Sequence, residues 1–218
     1  WAFLAGLHEP VLLPELEVAR ARVHLRWLSD ALLVQGLPAL SRRALRLARS
    51  VRPGDGARVR AFAAALPRTG LFRWSLGGTR SLGPNRLAGL GLGPIARAAG
   101  LREDARLDDP AYVDLAFEPV VLDLDAVRGP WRVRLEEAAR SLDLAARAGL
   151  AVTSNRTAVE SPRGRLESGS SPTGRLLDLV PDALAGLEWG TAVSTLVSLD
   201  LDLDEAALVA PRALEATA

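Results

Sequence analysis

Gly91-Leu-Gly-Pro94-Ile-Ala-Arg97-Ala-Ala-Gly100-Leu-Arg102-Glu-Asp104-Ala-Arg106 is the stretch that decides how this chain is read. It packs three glycines, one proline, three arginines and two acids into one short segment. Glycines give the backbone freedom or allow close approach, and Pro94 suits the first turn of a short helix. The spacing predicts a helix over 94–100 ended by Gly100. Two readings follow. One is a connector that happens to carry this helix. The other is a buried arginine–carboxylate cluster of Arg97, Arg102, Asp104 and Arg106 beside an interface or a cavity.

Upstream, the pattern is helical. From Pro14 to about Val34, Leu16, Ala19, Val23, Trp27, Ala31 and Val34 recur at three- and four-residue steps, predicting one inward face. His24 follows Val23 on this helix and reads as a core-edge histidine or as a group for proton handling or docking. Pro38 opens a second helix to about Val51, with Leu40, Ala44, Leu47 and Ala48 inward, and residues 57–66 form a third. Residues 67–93 have little periodicity, with Phe72 and Trp74 alternating as in a brief strand.

Downstream, Asp108 to Tyr112 reads as a turn and 113–124 as an extended segment. Gly129-Pro130 opens the clearest helix. Its expected buried stripe is Trp131, Leu135, Ala138, Leu142 and Ala145, and its expected solvated face is Arg134, Glu137, Arg140 and Arg147. Gly149 stops it. Pro162-Arg-Gly164 is a hairpin turn between Thr157–Glu160 and Arg165–Glu167. Arg175–Val180 reads as a strand, and a short helix is expected from 190 to 198. The whole is expected to be one domain over 1–218. Residues 14–150 are its helical core, and 151–218 an extended region with a short hairpin and a helix.

Composition narrows the chemistry. The 218 residues are 49% hydrophobic with a net charge of +1, so no electrostatic case for nucleic acid arises. All 27 basic residues are arginine, the mark of a GC-rich coding sequence. Without cysteine there is no disulfide, thiolate metal site or cysteine nucleophile. His8 and His24 are too few for a three-histidine metal site. No apolar run reaches the ~18 residues that a membrane span needs, and no secretory signal is visible.

Individual motifs are weak. Asp200-Leu-Asp-Leu-Asp-Glu205 alternates acids as an EF-hand loop does, but Ala210-Pro211 falls where the closing glutamate belongs, so a solvated strand or helix cap is the better reading. The glycines at 89, 91 and 93 miss the dinucleotide pattern, and no G-K-(S/T) loop exists without lysine. No G-x-S-x-G elbow is present.

Six patches in order nevertheless resemble one family, the 49-kDa-type (D) subunit of respiratory complex I and its cousins, the large subunits of nickel–iron (NiFe) hydrogenases. Arg20-Ala-Arg-Val-His24-Leu25 resembles its R-(I/V)-x-x-H-L helix. Gly93-Pro-Ile-Ala-Arg97-Ala-Ala-Gly100 with Asp104 and Arg106 resembles G-P-x-x-R-x-S-G followed by D-x-R. Asp109-Pro-Ala-Tyr112-Val-Asp114-Leu-Ala-Phe117 resembles the stretch after it. Arg132-Val-Arg134-Leu-Glu136-Glu-Ala-Ala-Arg140-Ser141 resembles R-x-x-V-R-x-E-E-x-R-x-S. Val159-Glu160-Ser-Pro162-Arg163-Gly164 resembles V-E-A-P-R-G, and Ser198-Leu-Asp200 resembles a C-terminal S-L-D.

The resemblance covers about 15–205. It implies a mainly α fold with small β hairpins (α+β), a hydrogenase large-subunit-like helical bundle. It implies an NADH:quinone oxidoreductase scaffold that docks on a small iron–sulfur subunit and other complex I-like subunits. His24, Arg97, Asp104, Arg106 and Arg163 become candidates for the interface or the quinone cavity. Departures bear on catalysis: the H-P-x-x-H loop and the hydrogenase cysteines are not in this sequence, and Val34 stands where an acid is expected. Arg165-Leu-Glu-Ser168 replaces the glutamate and Gly-Tyr-Tyr that follow P-R-G. The expectation is therefore a chain without catalytic residues or a cofactor of its own, with quinone at an interface and the cluster in a partner. The implied location is cytoplasmic, peripheral on the inner membrane through partners. The alternative is a non-redox interaction protein that kept the fold.

Overall fold

Helix α1, Leu13–Val34, begins with Pro14 at its first turn and Glu15 beside its positive end, and closes at Gly36, whose φ is +73°. It is covered on two sides. Ala21, Leu25, Leu28 and Leu32 form an apolar stripe, while Leu13, Glu17, Arg20 and His24 form a second stripe that is mostly polar and equally buried. The expected inward face is therefore partly wrong. Leu16, Trp27 and Ala31 are buried, but Ala19 and Val23 are half-buried and Val34 is exposed.

The computed structural model describes residues 11–66, 82–122, 129–153, 158–167 and 169–203. The brief strand expected around Phe72 and Trp74, His8 and the end of the Asp200–Glu205 run lie outside these residues. Helix α2, Pro38–Ser50, packs on α1 through Ala44 and Ala48, where Ser29 and Ser41 pair their hydroxyls at 3.0 Å. Helix α3, Gly56–Ala65, packs on the long helix α7, Gly129–Arg147, which also lies along α1. The main apolar core fills the space between α1, α2, α3 and α7, with Trp27 and Trp131 edge to face at 4.9 Å between ring centres.

Short elements fill the chain between α3 and α7. They are α4, Pro84–Leu87, α5, Pro94–Ala98, a 3-10 turn at Ala105–Asp108, and α6, Pro110–Asp114. The turn expected at 108–112 and the extended segment expected from 113 are thus helical as far as Asp114. The Asp109 side chain accepts the N–H of Ala111 and caps α6, and Pro110 supplies its first turn. Residues 115–122 have no regular structure.

Strands β1, Val159–Ser161, and β2, Gly164–Leu166, pair antiparallel, with Glu160 opposite Arg165. The strand expected at Arg175–Val180 is instead helix α8, Pro172–Leu177, followed by α9, Val180–Leu184, and α10, Trp189–Leu199. Ser171 caps α8 by accepting the Gly174 N–H, again with a proline behind it. A second apolar core joins Leu87, Leu92 and Ile95 to Leu176, Ala183 and Leu199. The described chain is mainly helical with one small antiparallel hairpin. Among the described residues no helix is long and apolar enough to cross a membrane.

Candidate functional site

Three backbone devices place the site. Gly93 and Gly164 let the 91–93 loop and the hairpin turn touch backbone to backbone, and Arg165 donates its N–H to the Gly91 carbonyl at 2.8 Å. Ser161 Oγ accepts the N–H groups of Arg163 and Gly164 and shapes the turn. Arg175 reaches back to the carbonyls of Leu90 and Arg165 and ties α8 to both. The hairpin and the 91–106 stretch are thereby fixed over the polar stripe of α1 and the facing side of α7.

An ion network fills the space so enclosed. Arg97 on α5, wholly buried, meets Asp104 at 3.0 Å, Glu137 at 2.6 Å and Glu160 at 2.8 Å. Arg106 grips Asp104 with Nε at 2.9 Å and Nη2 at 2.7 Å, and Nη2 also lies 3.2 Å from Glu137. Glu17 receives Arg20 Nε at 3.1 Å and the Tyr112 hydroxyl at 2.6 Å, with Arg106 Nη1 at 3.5 Å. Arg20 also donates to the Glu160 carbonyl, and Glu160 Oε2 accepts the Ala105 N–H at 3.1 Å. His24 Nε2 lies 3.3 Å from Glu137 Oε2.

Three buried guanidinium groups, those of Arg20, Arg97 and Arg106, thus face four buried carboxylates, those of Glu17, Asp104, Glu137 and Glu160. Burial alone pushes every acid up and every base down. For Glu17, Asp104 and Glu137 the neighbouring arginines outweigh burial and hold the carboxyls below their usual range. Glu160 moves the other way. Burial and then the Asp104 charge raise its pKa, so the excess negative charge is felt there. Burial pulls His24 down to about 4, against the opposing pull of Glu137, so the imidazole is neutral at pH 7.

A second group adjoins the first. Arg134 Nη1 meets Asp200 at 2.9 Å, and Arg163 meets Asp200 at 3.4 Å and Asp202 at 3.0 Å. The Arg134 guanidinium also lies 4.5 Å from the Trp27 ring centre. Asp200 ends α10 in the left-handed region and latches that helix onto α7 through Arg134. Asp200 and Asp202 are thus paired with arginines. Among the described residues no group of three or more histidines and carboxylates is arranged to hold a metal ion.

His24, Arg97, Asp104 and Arg106 therefore meet in one place, with Arg163 in the adjoining group. Arg102 does not join them; it points outward and pairs with Glu118 at the surface. Arg140 and Arg147 lie on a solvated face as expected, but Arg134 and Glu137 are buried, which corrects that expectation. Glu17, Arg20, Tyr112, Arg134, Glu137 and Glu160 also belong to the two ion groups, beyond the candidates that the sequence offers. Their signal was present in part: 17, 20 and 24 on one helix and 134, 137 and 141 on the other share faces at helical spacing. Chemically the assembly is a lattice of counter-ions with one neutral imidazole at its edge. No protein-family model matches the chain, and a search of curated proteins returns no significant match.

Proposed function

We propose that this chain is a divergent counterpart of the complex I D-type subunit, with a hydrogenase large-subunit-like bundle kept as a docking scaffold. In this role it stands beside a small iron–sulfur subunit during electron transfer from NADH to quinone and contributes no redox group of its own. One observation carries the reading. Each of the six patches behind the resemblance supplies a buried polar side chain to the two ion groups: Arg20 and His24, Arg97 with Asp104 and Arg106, Tyr112, Arg134 and Glu137, Glu160, and Asp200. Unrelated matches scattered along a sequence have no physical reason to converge. Residues that must meet to fix one fold do.

Arg97, Asp104 and Arg106 act in this proposal as positioning residues. They fix the 91–106 stretch and the hairpin against α1 and α7, so that the surface above them keeps one shape. Arg163, with its side chain 18% exposed at the hairpin turn, is the candidate nearest that surface. A quinone or a cluster belongs to the interface with the partner.

The test is co-expression of the full chain with a small iron–sulfur subunit of the complex I type from the same genome. Co-purification as a stoichiometric pair is expected, weakened by Arg163→Ala. A monodisperse chain that never retains such a partner overturns the scaffold reading and leaves the non-redox interaction protein.

A further inference from the structure

Bordering the ion network, a cleft of about 230 Å³ opens between α7 and the irregular segment after α6. Its floor is made by Glu17, Glu137 and Arg106, and Phe117, Val120 and Leu144 form apolar walls. Arg140 and Arg147 stand at the mouth, two helical turns apart on one face of α7.

The charges around the cleft are not equally committed. The floor acids are engaged from within: Glu17 by Arg20 and Tyr112, Glu137 by Arg97 and His24. The mouth acids are paired as well, Glu118 with Arg102 and Asp143 with Arg60 at 2.9 Å. Arg147 makes only a 3.3 Å bond to the Leu115 carbonyl and has no carboxylate partner among the described residues. Arg140 shares Glu136 at 3.1 Å with Arg60 and reaches the Glu118 carbonyl only at 3.5 Å. What remains unspent at the mouth is therefore cationic, and it overlooks an apolar wall.

Ala116 adds a second mark. It lies on the cleft with φ +50°, a left-handed conformation that a non-glycine residue rarely adopts. The turn it makes swings Phe117 back under the α6 carbonyl of Tyr112, where the ring packs 4.2 Å from the Arg106 guanidinium and becomes a fixed wall.

We propose that this cleft is a binding site for a compact carboxylate with an apolar body, the body against Phe117, Val120 and Leu144 and the carboxylate on Arg140 and Arg147. The volume falls below the ~300–1,000 Å³ of sites for drug-sized ligands, which limits the occupant to a single ring or a short branched chain. Guanidinium forks favour a planar carboxylate over a spherical anion. The site does not depend on the scaffold role, and its failure would leave that role untouched.

Benzoate is the probe. Titrated into the full chain and followed by calorimetry and by amide shifts, it is expected to bind one to one. The Arg140→Gln, Arg147→Gln double variant should weaken it by about tenfold, the loss of two exposed charge-assisted contacts. Arg132→Gln, an exposed arginine of α7 outside the cleft lining, should leave it unchanged. Inorganic phosphate and benzyl alcohol should bind more weakly than benzoate, because each lacks one half of the recognition. No saturable benzoate binding, equal binding to the double variant, or tighter binding of benzylamine would each overturn the proposal. All the substituted side chains are exposed, so the variants keep the fold.

Discussion

Arg97 holds a full charge where water does not reach, and three carboxylates make that possible. Burial opposes its ionisation, but Glu137, Asp104 and Glu160 more than compensate and push its pKa up. An isolated pair of this kind roughly breaks even against apolar packing, while removing one partner from a buried set is expensive. Arg97→Ala would take the guanidinium away from Glu160 and leave Asp104 and Glu137 to share Arg106 around a hole. It is expected to lower stability by about 3–5 kcal/mol, read as a shift in the urea midpoint. Arg97→Lys keeps the charge but has no fork to span three carboxylates, so it should recover only part of the loss. A midpoint that barely moves in the alanine variant would mean that the network is not what holds this region. The contrast with Arg102 shows what one residue type conceals. Both arginines lie in the same stretch, yet one is an interior counter-ion and the other pairs at the surface, and nothing local separates them.

At the scale of elements, the hairpin owes its place to glycine. Gly164 has φ +139°, and a methyl group there would stand 2.2 Å from the Gly91 carbonyl oxygen and 2.7 Å from the Gly93 nitrogen. Both neighbours are backbone, so relief requires moving a strand or the 91–93 loop, and the Arg97–Glu160 contact moves with them. Gly100 also has a positive φ, +86°, but faces open space. Gly100→Ala should cost about 1 kcal/mol, the left-handed penalty alone. Gly164→Ala should cost more than twice as much, by the same urea measurement, and equal losses would show that the hairpin docks loosely. The turn itself was readable from Pro162-Arg-Gly164. So were α1, α2, α3 and α7, because apolar residues recur at helical steps and prolines and glycines punctuate them. Helices α6 and α8 read as a turn and a strand in the sequence. Each is too short to show a period and is started by one capping side chain, Asp109 or Ser171. The buried polar stripes of α1 and α7 were obscured for a different reason. Polar residues at helical spacing look solvated when their counter-ions lie far away in sequence, as Arg106 does from Glu17.

Across the whole molecule, the buried titratable groups set how stability responds to pH. His24 has its folded pKa lowered from 6.5 to about 4. A neutral buried histidine contributes stability that is complete above 6.5 and is lost as pH falls toward 4, at most about 3 kcal/mol. Glu17, Asp104 and Glu137 are also lowered, so their contribution is present at neutral pH and is lost only below the ordinary carboxylate range. Glu160 has the opposite sign. Its raised pKa favours the folded state when it is protonated, and that contribution disappears as pH rises through the raised value. The two effects have opposite signs on acidification, which makes the slope of the parent protein a poor guide to either. A comparison separates them. His24→Asn keeps Glu160 and removes only the group that must charge. Urea unfolding of both proteins at pH 7 and pH 5 should show the parent losing about 2 kcal/mol more than the variant on acidification. Parallel losses would mean that the folded imidazole takes up its proton over the same pH range as the unfolded one, so that burial does not lower its pKa. At pH 5 the network would then hold four cations, Arg20, Arg97, Arg106 and His24, against four carboxylates.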